Sequence, residues 1–492
     1  MAGRLATLGA ADVKIIAGSA CFWAWLDGMF MSAFFRGSHE EGLMAELAVV
    51  LLFGVSAVGF AAFLAWPARA NQLLGEKRTP LMAAALGTVG SALFAAAGAM
   101  HAVTLLVVGG ACCAVCMAMF QMGWGAVYCR DGARSAALYA SGGFAGAVII
   151  DLPLLFMVPL ASMVFYALLP LVSGVLLVSI GGDERRYQTS EQAVGGGPSL
   201  LTAIDRRLGI PRMLLLAAAL VLVSFGYLQH LVSFSSVASG GTPGGVVVQL
   251  TRGAMAVILF SVVICSPSRT NILYRMGLLL IIAGFMLMPF LFGSGLFWVA
   301  GAIIISGYTA FDLLVWVLFS QIAHTRSESP LQTIAVIKLL AVICYVVGAV
   351  AGMVLVGNDE TLHTYVLQET TLMGYLVMIA TVLLLSSKDM WVLSGMVATS
   401  SGASGGEARR QCLDQWFVAY GLTPREQEIA HLLIAGRTQP WVATSLCISE
   451  NTVGTHVRHI YQKLGVHDRQ QFIDLANDQY TAVSPDSREA VS

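Results

Sequence analysis

The sequence predicts an all-α protein in two parts. A polytopic bundle of twelve membrane helices, six and six, is followed by a small C-terminal domain of four helices. Three observations predict it. Of 492 residues, 57% are hydrophobic and 11% are charged, against about 25% charged in an ordinary soluble domain. Mean hydropathy is +0.78, so most of the chain needs lipid around it. The charge is also unevenly placed. Residues 1–385 hold 35 of the 55 Asp, Glu, Lys and Arg side chains, and the last 107 residues hold the other 20. A net charge of −1 excludes a global basic field drawing the whole chain to nucleic acid.

A helix crossing a bilayer needs roughly 20 mostly apolar residues. Twelve stretches meet this: 13–34, 43–66, 80–100, 102–127, 134–158, 160–180, 213–237, 245–266, 272–292, 295–319, 331–357 and 364–385. The first lacks a clear small-residue cleavage site and reads as a retained helix rather than a signal peptide. Between the sixth and seventh lies the longest loop, 181–212, with Gly195-Gly196-Gly197-Pro198 and the basic pairs Arg185-Arg186 and Arg206-Arg207. Residues 13–180 thus form a first bundle and 213–385 a second, with the loop as a cytoplasmic linker.

Lys and Arg in the loops set the orientation. One set of loops and span ends carries Arg4, Lys14, Arg69, Lys77, Arg78, Arg130, Arg134, Arg185, Arg186, Arg206, Arg207, Arg212, Arg269, Arg275 and Arg326. The alternate set carries only Arg36, with His39, Glu40, Glu41, Asp359, Glu360 and His363. The asymmetry places both termini in the cytoplasm of a cell whose inner membrane holds the chain, with lipid as its surroundings.

Two six-helix bundles joined by a central loop resemble the major facilitator fold over about 1–385. The resemblance is one of architecture. The loop Pro67 to Thr79 lacks that family's Gly- and Asp-containing transport signature, which argues against transport. Ionisable residues inside a bilayer are costly and are functional candidates. They are Asp27, Asp151, Arg252, Asp312 and Lys338, in spans 1, 5, 8, 10 and 11. In the facilitator fold, spans 1, 2, 4, 5, 7, 8, 10 and 11 line the central cavity, and all five charges lie on that set. Depth along each span groups Asp27 and Asp151 with Arg252 in the outer half, and Asp312 with Lys338 in the inner half. The grouping reads either as a pocket for a small-molecule ligand or as ion pairs holding the bundles together. Trp25, Gln121, Trp124, Tyr227, Gln229, His230 and Trp316 are candidate neighbours. Glu46 and Glu369 sit near span ends and read as interfacial.

No catalytic residue, metal site or cofactor is predicted. Cys112, Cys113 and Cys116 sit within an apolar span, where small polarizable core residues are the expected reading. Gly142/Gly146 and Gly348/Gly352 have the spacing that lets helices approach closely. No phosphate-cradling Gly loop, H-E-x-x-H or nucleophile elbow occurs.

The Ser/Gly/Ala run from Thr399 to Gly406 marks residues 386–411 as a flexible linker, and 481–492 as a disordered tail. Residues 412–480 carry helix start signals. Thr423-Pro424-Arg425-Glu426 is a capping box with Pro at the first helical position. Ile429, Leu432 and Leu433 form its stripe, and Gly436 ends the helix. Thr438 caps a second helix containing Val442, Ala443 and Leu446. After Cys447-Ile448, Ser449 caps a third with Val453, Val457, Ile460 and Leu464, stopped by Gly465. Asp468 and Gln471 open a fourth with Phe472, Ile473, Leu475 and Ala476. The second and third have helix-turn-helix dimensions. Opposite the apolar face, Asn451, Thr455, Arg458 and Gln462 step by four, three and four into one stripe, of the kind major-groove reading requires.

Leu422-Thr423-Pro424-Arg425-Glu426, Gly436, Val442-Ala443, Leu446, Ile448-Ser449, Thr452-Val453, His456 and Lys463-Leu464-Gly465-Val466 resemble the LuxR/NarL-type DNA-binding domain across about 420–477. The resemblance implies double-stranded DNA as a partner. It implies base contacts from Thr455 and Arg458, backbone positioning by Ser449, Asn451, Thr452 and Lys463, and a homodimer through the fourth helix. This chain departs at Gly454, where the family usually has Lys, and at Gln439-Pro440-Trp441. Over 407–480 there are seven Lys/Arg against eight Asp/Glu. With no receiver domain between 386 and 420, the expectation is a non-enzymatic, membrane-embedded one-component transcription regulator that senses a small molecule through its membrane part. The alternatives are a facilitator-type secondary transporter with a regulatory DNA-binding tail, and a tail serving only dimerisation.

Overall fold

A computed structural model describes residues 9–31, 39–100, 102–129, 133–154, 156–180, 212–238, 243–265, 270–291, 294, 296–325, 330–356, 362–386, 413–434, 439–446, 449–468 and 470–476. The expected central loop, the Ser/Gly linker, the C-terminal tail, Arg36, Gly436, Thr438 and the Cys447-Ile448 turn lie outside them. The chain divides into two compact units, Met1–Ala398 and Thr399–Ser492.

All elements among the described residues are helical. In the first unit they are α1 (Ala10–Met31), α2 (His39–Ala65), α3 (Pro67–Gly75), α4 (Arg78–Met100), α5 (Val103–Cys129), α6 (Ala133–Leu154), α7 (Pro159–Ser179), α8 (Arg212–Ala238), α9 (Pro243–Cys265), α10 (Thr270–Leu291), α11 (Phe297–Thr325), α12 (Pro330–Val356) and α13 (Leu362–Ser386). Apart from α3, each overlaps one of the twelve apolar stretches. Among the described residues, six helices are long and apolar enough to cross a membrane, seven counting α2 with α3 as one bent span.

The segment Pro67 to Thr79, expected as a loop, is largely helix. α3 turns 105° from α2. Pro67 sits at its first position, where its missing N–H costs nothing, and Ala70 and Leu74 bury its inner face. A nine-residue helix with one small apolar face has too weak a period to stand out from a basic loop.

The two halves repeat one packing scheme. α1 packs on α6 and α7, α4 on α5 and α7, and α2 on α5. The corresponding helices six spans later do the same: α8 on α12 and α13, α10 on α11 and α13, α9 on α11. The halves meet through α2 with α12 and α6 with α9, again a pair related by six spans. Small residues permit the closest approaches. A Cβ at Gly226 of α8 would collide with the Tyr345 carbonyl of α12, and one at Gly348 of α12 with the Val223 carbonyl of α8. Gly142 and Gly146 lie against Ile16 and Ala20 of α1. Cys113 and Cys116 are buried and fill the space left by Gly90 and Gly87 of α4.

The second unit holds α14 (413–419), α15 (Pro424–Ile434), α16 (Gln439–Ser445), α17 (Glu450–Leu464) and α18 (470–476). α14 extends the expected four helices by one. Its Leu413, Trp416 and Phe417 are buried with Ile429, Leu433, Val442, Val453, Val457, Ile460, Leu464 and Phe472 in one core. That i, i+3, i+4 spacing is a helical face, but about two turns beside a Ser/Gly/Ala run give periodicity little to act on.

Candidate functional site

The membrane unit holds a cavity of about 180 Å³, room for about six waters or one small organic molecule. Its walls come from α1, α2, α5, α6, α8, α9, α11 and α12, which are spans 1, 2, 4, 5, 7, 8, 10 and 11. Four of the five intramembrane charges line it: Asp27, Arg252, Asp312 and Lys338. Arg252 Nη1 meets Asp27 Oδ1 at 2.6 Å, with side chains 22% and 8% exposed. This ion pair ties α9 of one half to α1 of the other.

Asp151 does not complete the expected outer trio by a direct contact. It is buried on α6 and accepts a hydrogen bond from Tyr166 Oη at 3.2 Å, while its Oδ2 has no hydrogen-bond partner. Asp312 and Lys338, expected as an inner pair, line the same cavity, but among the described residues no ion pair within 4.0 Å joins them. Instead Lys338 Nζ sits 3.9 Å from the centre of the Trp316 ring, a cation–π contact with a desolvated ammonium. Trp316 lies one helical turn from Asp312 on α11, and both charges line the same cavity.

Of the neighbouring residues, Gln121 lines the cavity, and its Oε1 is buried without a partner. Trp25 and Trp124 point elsewhere, donating to Ser91 Oγ at 2.8 Å and Ser173 Oγ at 3.1 Å. Tyr227 donates to Glu369, which is buried rather than interfacial. The side chains of Gln229, His230 and Glu46 lie outside the described residues. The walls missing from the sequence reading are aromatic: Trp23, Phe53, Phe144, Phe225, Tyr308, Phe311 and Tyr345. Only their positions on cavity-facing helices mark them, since Phe and Tyr in a span read equally as packing.

The second site is the outer face of α17. Ser449 caps it, its Oγ accepting from Thr452 N at 3.1 Å, and Gly465 ends it in the left-handed region at φ 68°. Val453, Val457, Ile460 and Leu464 are buried, which turns Asn451, Thr455, Arg458 and Gln462 outward; all four are exposed. Thr455 Oγ1 donates back to Asn451 O at 3.0 Å, fixing its rotamer. Arg458 has no ion pair among the described residues.

Lys463 is differently engaged. Its Nζ reaches Glu426 Oε2 at 2.6 Å and Gly421 O at 2.9 Å. Glu426 also closes the capping box, accepting from Thr423 N at 2.7 Å. Burial pushes the Glu426 carboxyl up, but the Lys463 and Thr423 hydrogen bonds outweigh it and hold it below its ordinary value of 4.5. Lys463 thereby locks the end of α17 to the start of α15. Arg425 does likewise for α16, donating to Leu446 O at 3.1 Å. At α18, Gln471 N donates to Asp468 Oδ1 at 2.8 Å, and the Gln471 side chain accepts from His467 N at 2.9 Å.

Residues 421–476 match the family described as bacterial regulatory proteins, luxR family. The CsgBAC operon transcriptional regulatory protein of Escherichia coli strain K12 is 46% identical over 57 residues, 12% of this chain and 26% of that protein. The probable transcriptional regulatory protein NarL of Mycobacterium tuberculosis strain H37Rv is 38% identical over 68 residues, 14% of this chain and 30% of that protein. The chain thus spans about a quarter to a third of the length of these relatives, all within its last unit. The membrane unit is similar in fold to a bacterial homologue of the iron transporter ferroportin, with a TM-score of 0.51, 12% identity, and 75% of this chain and 98% of that chain covered. It is also similar to the human organic anion transporter MFSD10, with a TM-score of 0.50, 14% identity, and 76% and 97% covered.

Proposed function

We propose that this chain, a LuxR-type DNA-binding domain joined to a membrane domain of the major facilitator fold, is a membrane-embedded one-component transcription regulator. In this reading a small molecule enters the charged cavity and shifts the balance between two arrangements of the helical halves. That shift changes how the cytoplasmic domains pair on double-stranded DNA, since a ligand moves an equilibrium only by its differential affinity for the two states. All twelve long helices cross the inner membrane of a bacterium, and both termini lie in the cytoplasm, where the DNA is. Homodimerisation supplies two recognition helices for two half-sites.

The observation that carries the reading is the outward stripe of α17. Asn451, Thr455, Arg458 and Gln462 are exposed opposite a fully apolar face. A domain serving only as an anchor or dimerisation unit has no need of such a stripe. The test is genome-wide mapping of bound DNA for the full chain against Arg458→Ala. Discrete peaks in the parent and their loss in the variant are expected. Unchanged peaks, or none in the parent, overturn the reading.

A transporter with a regulatory tail is the second reading, favoured by the charge-lined cavity within a transporter-type fold. It predicts accumulation of a labelled solute that Asp27→Asn abolishes. The regulator reading predicts no accumulation in either.

A further inference from the structure

The cavity holds two opposite charges, Asp312 and Lys338, that no direct ion pair within 4.0 Å joins among the described residues. A lysine ammonium carries three donors and a carboxylate about four acceptor sites. Lys338 is 7% exposed, and its contact among the described residues is the Trp316 ring. Asp312 makes no ion pair or hydrogen bond among them, and Gln121 Oε1 lies buried and unpartnered in the same wall. Asp27 and Arg252, by contrast, are in direct contact.

The lining charge is therefore balanced: one pair in direct contact, Asp27 with Arg252, and one pair, Asp312 and Lys338, that lines the same cavity without a direct contact. A ligand with a single charge would satisfy one open group and strand the other in a low-dielectric wall, which is costly. A neutral apolar ligand would strand both. A molecule carrying both signs serves each and leaves the site neutral. Rings make up much of the remaining wall, with Phe53 and Tyr345 tilted against each other at 4.1 Å and Phe225 packed on Tyr345 at 5.8 Å. Such rings suit an apolar body and favour a nearby ammonium.

We infer that the cavity binds a small amphoteric molecule of the amino-acid class. Its carboxylate lies on Lys338, its ammonium on Asp312 and Gln121, and its apolar side group lies among the aromatic rings. This rests on the cavity being the sensing site, and it narrows the ligand to one charge pattern.

The test uses the full chain in lipid nanodiscs and three probes on one skeleton: phenylalanine, 3-phenylpropionate and 2-phenylethylamine. Calorimetric titration is expected to give at least about ten-fold tighter binding of phenylalanine than of either singly charged relative, as loss of a charged hydrogen bond implies. Lys338→Met should erase the advantage over the amine, and Asp312→Asn the advantage over the acid. The comparison in the parent protein decides alone if a variant fails to fold. Equal or tighter binding of the acid or the amine, or no heat from any of the three at 10 mM (roughly −2.7 kcal/mol or weaker by the usual affinity arithmetic), overturns the inference. Mapping of bound DNA with the same probes separates this from the regulator reading. Binding without a change in DNA occupancy leaves the ligand class standing and removes sensing. A change in occupancy with a different compound does the reverse.

Discussion

Gly454 is a residue at which this face departs from the LuxR-type pattern, and its surroundings say what it costs. It lies within α17 one position before Thr455 and four before Arg458, and a Cβ there would meet only Gln439 Oε1 at 3.9 Å. Glycine inside a helix costs about 1 kcal/mol relative to alanine, and here it also leaves the stripe with Arg458 as its one cation. Gly454→Lys should therefore stiffen the helix and add a phosphate contact. The salt dependence of DNA affinity should steepen by about 0.9 in log–log slope, read by fluorescence anisotropy across a salt series. An unchanged slope would place residue 454 away from the phosphates. The stripe was legible in the sequence because it needs only the 3.6-residue period and an apolar face opposite. Lys463 was not. Its partners Glu426 and Gly421 are 37 and 42 residues away, and a tertiary contact leaves no periodic trace. The aromatic cavity walls escaped for a related reason: in a span, a ring facing a void and a ring facing a neighbour have the same sequence pattern.

Elements in this protein are held in two ways, by small residues in the membrane unit and by caps in the aqueous one. The Gly348-x-x-x-Gly352 spacing announced a close helix contact, but not that its partner is α8 or that Gly226 answers it from the other side. With both glycines facing backbone carbonyls, no side-chain rotation relieves an added methyl group, so α8 and α12 must separate. Gly348→Val is expected to lower the unfolding midpoint of the membrane unit and reduce its yield, overpacking costing about 1–3 kcal/mol. Gly54→Val, on α2 with open space around its Cβ position, is the control and should behave as the parent. Equal midpoints for both variants would mean that α8 and α12 are not packed as closely as their glycines allow. In the aqueous unit the Glu426 cap joins α15 to α17, and its pH dependence has a definite sign. A carboxyl whose folded value lies below 4.5 stabilises the fold above that pH, and the contribution fades as pH falls through the folded value. Glu426→Gln should therefore raise hydrogen exchange of the first α15 amides about five-fold at pH 7, equivalent to ~1 kcal/mol of lost cap. The difference from the parent should shrink as pH falls below 4.5 through the lowered folded value. A pH-independent difference would assign the effect to packing instead of charge.

At the scale of the molecule, the protein is two units built for two solvents, and the proposed regulation requires free energy to pass between them. The repeat relating α1–α7 to α8–α13 means that the cavity charges lie across the seam of the halves: Asp27 on the first, and Arg252, Asp312 and Lys338 on the second. The Asp27–Arg252 ion pair is thus a tie between the two halves, which the proposed regulation would have to move. A tenfold change in DNA occupancy requires about 1.4 kcal/mol of differential binding, well within what making or breaking one buried charged contact supplies. Arg252→Ala removes the tie and leaves Asp27 without its cation. Its occupancy on DNA should become independent of the inducing ligand, fixed at one extreme. Arg458→Ala should abolish occupancy whatever the membrane unit does. Because one change acts upstream of the other, the double variant should match Arg458→Ala alone, a non-additive result expected of sites acting in series. A reporter driven from a mapped binding site measures all four proteins with and without ligand. An Arg252→Ala chain that still responds over the parent's range would show that the ion pair is a passive strut, and would move the sensing element elsewhere in the bundle.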